Sequence, residues 1–180
     1  FATTVTVAGL TDHLCGPHRP GHFAGVATVV AKLLNQAQAD RAYFGEKDWQ
    51  QLQVIRSMAR DLDIPTAIVG VPTVRDADGL ALSSRNRYMS PEERERAAAL
   101  PRGLAELAER VADGRPVAPE TAALRERLLA AGFDRIDYVE VCEAETLLPL
   151  ARVERPESAR VFAAAWMGRT RLIDNMPVAR

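Results

Sequence analysis

The sequence predicts an α/β fold: a doubly wound parallel sheet in the first part of the chain, then a small α+β unit with an antiparallel sheet. Three observations predict it. Helical apolar stripes alternate with short apolar strands as far as Pro72, the pattern of βα units. Ala42-Tyr43-Phe44-Gly45 runs from an apolar, aromatic strand end through a glycine into a helix start. From Val74 onward the pattern changes to helices followed by three strands, two of them joined by a glycine-containing loop.

In chain order, Val5 and Val7 suggest a short strand. The opening Phe1-Ala2-Thr3-Thr4 has no initiator methionine and reads as the run into a strand belonging to something earlier. An N-terminal portion outside this chain is therefore expected. Thr11 to Gly25 is a polar loop with Pro17, Pro20, Gly16 and Gly21; Arg19 and His22 are its candidate functional side chains. His22 by itself reads more simply as a residue that caps or packs at the start of the next helix. That helix carries Val26, Val29, Val30, Leu33, Leu34 and Ala37 as its expected buried stripe.

Tyr43 and Phe44 then read as the end of a buried strand, and Gly45 as the turn. Asp48 and Gln51 have capping-box spacing. Leu52, Ile55, Ala59 and Leu62 step by three, four and three, so a helix packs one face on a sheet. The free N–H groups of a helix start favour an anion, and Lys47 adds a full positive charge there. Polyphosphate is the guest that suits this turn. Glu46, Lys47 and Asp48 read equally well as a solvated turn, since neither a Walker loop nor Gly-x-Gly-x-x-Gly is present. Thr66 to Val71 is a parallel strand covered on both faces. Ligands in such sheets sit at the carboxyl ends of strands, where Gly45 and Pro72 fall.

Arg75-Asp76-Ala77-Asp78-Gly79 is a polar turn leading to Ser83-Ser84-Arg85-Asn86. Two hydroxyls beside a planar guanidinium suit a phosphate; an ordinary Ser/Asn turn fits the same residues. Ser90-Pro91-Glu92-Glu93 is a helix start with a capping box, and Pro101 kinks or splits that helix. A second helix starts near Pro119-Glu120, carries Leu124, Leu128 and Leu129, and ends at Gly132. Ile136 to Cys142 is a strand with Val139 and Val141 on one face. Arg160 to Ala165 and Arg171 to Ile173 are two more, joined by Trp166-Met167-Gly168-Arg169-Thr170.

Composition narrows the function. The 180 residues are 47% hydrophobic, enough for a core, and carry a net charge of −1, so no global basic field recruits nucleic acid. No apolar run has the length of a membrane span. Cys15 and Cys142 have neither metal-site nor disulfide spacing and are expected as buried or free thiols in a reducing cytoplasm.

Four blocks resemble the signature of a known family: Arg19-Pro20-Gly21-His22-Phe23-x-Gly25-Val26, Phe44-Gly45-Glu46-Lys47-Asp48-x-Gln50-Gln51, Val69-Gly70-Val71-Pro72, and Asp78-Gly79-Leu80-Ala81-Leu82-Ser83-Ser84-Arg85-Asn86. Leu172-Ile173-Asp174-Asn175 resembles its closing strand. The family is that of the pantoate–β-alanine ligases, or pantothenate synthetases. The resemblance implies a Rossmann-like nucleotidyltransferase domain, here its later part over residues 1–74, and a small C-terminal lid domain over 75–180. It implies ATP and Mg²⁺, the substrates pantoate and β-alanine, a homodimer, and a cytoplasmic enzyme free of nucleic acid and membrane. Carried over by motif, Gly45, Glu46, Lys47, Asp48, Val74, Leu82, Ser83, Ser84 and Arg85 would bind ATP. Gln51 would hold pantoate, and Lys47 would stabilise charge in catalysis, with no residue expected to ligate a metal directly.

One departure stands out. The family's His-x-Gly-His motif is absent, and His13, His18 and His22 have the wrong context to replace it. The chain on its own is therefore expected to be inactive. Two other readings stay open: a non-catalytic C-terminal fragment, and another adenylyl or cytidylyl transferase of the same superfamily.

Overall fold

The computed structural model describes residues 2–178. Phe1, which begins the opening run, and the last two residues lie outside them. The chain divides into two compact units between Pro72 and Thr73, so Val74 belongs with the second.

The first unit contains α1 (Cys15–His18), α2 (His22–Ala37), β1 (Arg41–Gly45), α3 (Trp49–Asp61) and β2 (Ala67–Val71). The two strands pair in parallel, Arg41 opposite Ala67 through Gly45 opposite Val71. The α/β character is as the periodicity predicts, but several details differ. Val5 and Val7 are not in a strand; instead the Val5 N–H donates to Thr28 Oγ1 at 2.9 Å. The expected loop contains the four-residue α1.

On α2 the buried residues are Phe23, Ala27, Thr28, Ala31 and Leu34, while Val29 and Leu33 are 47% and 55% exposed. Two apolar stripes compete on this helix. The one with small residues wins against α3, because Ala27 and Ala31 let the helices approach closely. The strand over Tyr43 is not buried as expected: Tyr43 is 62% exposed. Among the described residues α3 covers one face of the β1–β2 pair, and side chains alternate in and out along β1. Leu52, Ile55 and Ala59 are buried on α3 as their spacing requires, but Leu62 lies past its end and is exposed.

The second unit contains α4 (Pro91–Ala97), α5 (Ala99–Ala112), α6 (Val117–Ala130), β3 (Arg135–Glu143), β4 (Ala159–Met167) and β5 (Thr170–Pro177). The three strands form an antiparallel sheet in the order β3-β4-β5. The hairpin loop is shorter than the sequence suggests, because Trp166, Met167 and Thr170 are still paired and only Gly168 and Arg169 turn. Ser90 caps α4 with the full capping box, its Oγ accepting from the Glu93 N–H and the Glu93 carboxylate accepting from the Ser90 N–H. The helix splits at Ala98, and Pro101 lies in the first turn of α5. There its missing N–H costs nothing, since those donors have no partner within the helix.

Leu100, Leu104, Leu107 and Val111 of α5 meet Leu124 and Leu128 of α6 and the sheet residues Val139, Val141, Val161, Ala163 and Leu172 in one core. Leu129 faces solvent. Cys142 is buried in this unit, and burial, reinforced by the nearby Glu140 carboxylate, pushes its thiol up to about 12. It stays protonated and unreactive at neutral pH.

Across the second unit, Arg75 forms a two-pronged pair with Asp174 at 2.7 and 2.9 Å and also donates to the Gly79 and Asn175 carbonyls. The Asp174 side chain is 1% exposed. Removing one partner of a buried pair leaves a charge in low dielectric. Asp174→Ala is therefore expected to cost the second unit about 3–5 kcal/mol, read by urea unfolding through Trp166 fluorescence. The double change Arg75→Met with Asp174→Leu should recover most of that loss. A single variant as stable as the parent would show that the pair does not hold the unit.

Candidate active site

The first candidate cluster stands at the carboxyl end of β1. Gly45 ends the strand, Glu46–Asp48 form a single 3₁₀ turn, and α3 starts at Trp49. The expected capping box is absent: the Asp48 side chain accepts no helix N–H. Asp48 occupies the capping position of α3, with φ −99 and ψ 56, yet its side chain makes no capping bond. Lys47 and Gln51 are both half-buried near the start of this helix. Because the 3₁₀ turn advances faster than an α-helix, their four-residue spacing is not one α-helical turn.

Glu46 folds toward β2. Its Oε1 lies 3.0 Å from the point where a Cβ at Gly70 would stand, with Leu52 Cδ2 at 3.1 Å from the same point. A side chain at residue 70 would have to displace both. Gly70 is thus what lets the Glu46-Lys47-Asp48 turn sit down on the end of the neighbouring strand.

Sequence reasoning missed the residue that ties this turn to the loop before α2. Gln50 is buried. Its Oε1 accepts from the Cys15 N–H, and its Nε2 donates to the Leu10 and His13 carbonyls, each at 2.9 Å. The side-chain amide ties this loop to α3, in addition to the loop's own turn hydrogen bonds. Leu14 in that loop has φ 55, a strained backbone for a branched residue. Any Cβ on Gly16 would collide with the Thr11 carbonyl oxygen. The only sequence signal for Gln50 is a polar residue beside the buried stripe of α3.

The loop so held leads to Arg19 and His22, whose Nη1 and Nε2 are 2.9 Å apart. His22 is the first residue of α2, with its ring 5.0 Å from that of Phe23. It packs at the helix start and does not cap it, since Gly21 occupies the capping position.

The second candidate cluster lies in the second unit. Ser83 precedes a 3₁₀ turn over Ser84–Tyr88 and accepts from the Arg85 N–H through its Oγ. Asn86 Nδ2 donates to the Ala81 carbonyl at 3.1 Å. Ser84, Arg85, Leu82 and Val74 are exposed. The Leu82 N–H donates to the Val74 carbonyl, which places these two neighbours in one narrow loop. Ahead of them, Arg94 of α4 clasps Asp76 at 2.7 Å and Asp78 at 2.5 Å. The Arg94 guanidinium holds the Asp78 carboxyl below its ordinary range, and Asp78 in turn raises Arg94.

Comparison with known proteins decides the family. The family model described as pantoate-beta-alanine ligase matches residues 1–177. The chain belongs to the pantoate–β-alanine ligase family. Pantothenate synthetase from Dinoroseobacter shibae is 58% identical over 178 residues, covering 99% of this chain and 63% of that protein. The one from Chelativorans sp. is 54% identical over 180 residues, again covering 63% of its length. The chain thus spans under two thirds of the length of these curated relatives. The solved pantothenate synthetase of Thermus thermophilus superposes with a TM-score of 0.92 at 51% identity, covering all of this chain and 65% of that one. A pantoate-beta-alanine ligase from Francisella tularensis, complexed with β,γ ATP and β-alanine, superposes at 0.75 with 28% identity over 98% of this chain and 58% of that one. The parallel unit followed by an antiparallel one is therefore the fold of this family.

Gln50→Leu keeps the volume and removes every hydrogen bond to the loop. It is expected to destabilise the first unit by about 1–3 kcal/mol for each backbone group left buried without a partner. Faster amide exchange at Cys15 should accompany the loss. Protection at Cys15 equal to the parent's would show that water or a neighbour replaces Gln50.

Proposed function

We propose that this chain serves the ATP-dependent ligation of pantoate and β-alanine to pantothenate. The observation that carries this reading is the family match over residues 1–177, which includes both candidate clusters. The ATP and β-alanine complex of the Francisella relative supports it. In this reaction the pantoate carboxylate attacks the α-phosphorus of ATP, giving pantoyl adenylate and pyrophosphate. The β-alanine amine then attacks the adenylate carbonyl, giving pantothenate and AMP.

The chemistry asks for fixed cations and N–H donors where phosphate oxygens gain charge. In the first unit, Gly45, Glu46, Lys47 and Asp48 are proposed to bind ATP, Lys47 as the electrostatic catalyst. Gln51, deeper along α3, is proposed to bind pantoate. In the second unit, Val74, Leu82, Ser83, Ser84 and Arg85 are proposed as further ATP contacts, the hydroxyls and guanidinium suiting phosphate. Among the described residues no three His, Cys, Asp or Glu side chains gather as a metal cage. Mg²⁺ is proposed to enter with ATP as part of the substrate complex, where it would offset phosphate charge. The resemblance also supports a cytoplasmic homodimer. No helix of the described residues is long and apolar enough to cross a membrane.

The test uses two proteins: the 180-residue chain, and a chimera with the corresponding N-terminal segment of the Thermus relative joined ahead of it. Pantoate-dependent pyrophosphate release is expected from the chimera and not from the chain alone, which lacks the His-x-Gly-His motif. In the chimera, Lys47→Ala should lower the adenylation rate roughly 10²–10³-fold, and Lys47→Arg should restore little, because a planar fork does not replace a compact charge. Near-normal pyrophosphate release by Lys47→Ala would remove Lys47 from the reaction. Gln51→Ala should raise the KM for pantoate more than that for ATP. An equal rise in both would make Gln51 a helix-supporting residue only.

A further inference from the structure

The 3₁₀ turn that carries Ser84 and Arg85 continues into Arg87 and Tyr88. Tyr88 is half exposed. The Arg87 Cζ stands 5.1 Å from the Tyr88 ring centre, and Arg87 Nη2 donates to the Tyr88 hydroxyl at 3.0 Å. Arg169, from the two-residue turn between β4 and β5, reaches the same ring, its Cζ at 5.9 Å. Two guanidinium groups from segments far apart in sequence thus share one exposed aromatic ring. Their mutual repulsion is offset only in part by the ring quadrupole.

Several arginines of this unit have acidic partners. Arg75 is neutralised by Asp174, Arg94 by Asp76 and Asp78, and Arg127 by Glu106. Among the described residues no acid is ion-paired with Arg85, Arg87 or Arg169. Asp134 Oδ2 accepts from the Gly168 N–H at 2.7 Å, and Glu93 also stands beside this patch, its Oε1 close enough to Gly168 to collide with any Cβ there. Its other oxygen closes the capping box of α4 by accepting from the Ser90 N–H. Three guanidinium groups against two occupied carboxylates leave a net positive surface that attracts a phosphate anion.

We propose that Arg87, Tyr88 and Arg169 form an anion subsite for a pyrophosphoryl group, continuing the Ser83–Arg85 phosphate contacts. The inference rests on the reading of Ser83–Arg85 as phosphate-binding. Its ligand is either the pyrophosphoryl end of ATP or the free pyrophosphate that adenylation releases. The Arg87 and Arg169 forks would each donate to its oxygens, while the Tyr88 ring keeps them side by side. All three residues belong to the second unit, so the 180-residue chain contains the complete subsite.

The experiment is calorimetric titration of the chain with inorganic pyrophosphate, ATP and AMP, at low and at raised salt. Arg87→Gln with Arg169→Gln is expected to weaken inorganic pyrophosphate roughly five- to twentyfold and to leave AMP unchanged. Loss for pyrophosphate and ATP alike assigns the subsite to the nucleotide's end; loss for pyrophosphate alone assigns it to the product. Raised salt should weaken binding to the parent more than to the variant. The pair Arg87→Lys with Arg169→Lys, which keeps the charge, should bind more tightly than the glutamine pair; equal weakness would assign the effect to a disturbed turn and overturn the subsite. Pyrophosphate affinity unchanged in the glutamine pair but lost in Arg85→Ala would overturn the subsite and leave the proposed function standing. No binding to the parent chain would also overturn it, with the function judged separately by the Lys47→Ala assay.

Discussion

The side-chain amide of Gln50 is the constraint on which the first unit depends. A buried amide with three well-directed hydrogen bonds acts as an extra peptide group inserted between two segments. It meets the Cys15 N–H on one side and the Leu10 and His13 carbonyls on the other. Without it, the positive φ of Leu14 would lose the surroundings that hold such a backbone in place. The loop it holds leads into α1, Arg19 and His22. The helix it projects from begins just after Lys47. One side chain therefore sets the position of both segments, and Gly70 completes the arrangement by making room for Glu46.

The second unit depends on charge in place of amides. Arg75 and Asp174 are far apart in sequence, yet their paired groups lie at 2.7 and 2.9 Å. Arg94 brings Asp76 and Asp78 to α4. Asp78 also accepts from the Leu80 N–H, which shapes the turn that delivers the chain to Ser83. The exposed Ser84–Tyr88 turn is thus carried on a lattice of ion pairs anchored in β5 and α4. The partly exposed Arg94 pairs contribute modest stability, because solvent screens them. The Arg75–Asp174 pair is shielded and matters more. The phosphate contact proposed for this turn would need a rigid platform to be preorganised, and these pairs supply one.

The match between chemistry and fold is local to each unit. A parallel strand ending in glycine, followed by a tight turn with a lysine, exposes N–H donors where an anion can approach. A serine-capped 3₁₀ turn with an exposed arginine offers a hydroxyl and a fork in one loop. Each motif is weak by itself, and each has an ordinary structural use. The family match over residues 1–177 is what supports the proposal that both serve one reaction.

Much of this was legible in the sequence by itself. The α3 stripe, the Ser90 capping box, a helix break close to Pro101, the Leu124–Leu128 helix and the three late strands are local patterns, written in spacing and in residue type, and the signature blocks carried the family. Tertiary structure alone decided the rest. Apolar spacing on α2 could not say which of two stripes would face α3, because that choice depends on how closely two helix backbones approach. Asp48 stands at the capping position its spacing predicts, but the 3₁₀ turn ahead of α3 ends there without a side-chain capping bond. No spacing announces that Gln50 reaches Cys15 or that Arg75 reaches Asp174. Those partners meet only when segments far apart in sequence fold together, and a buried polar group takes whichever partner the packing brings within hydrogen-bond distance.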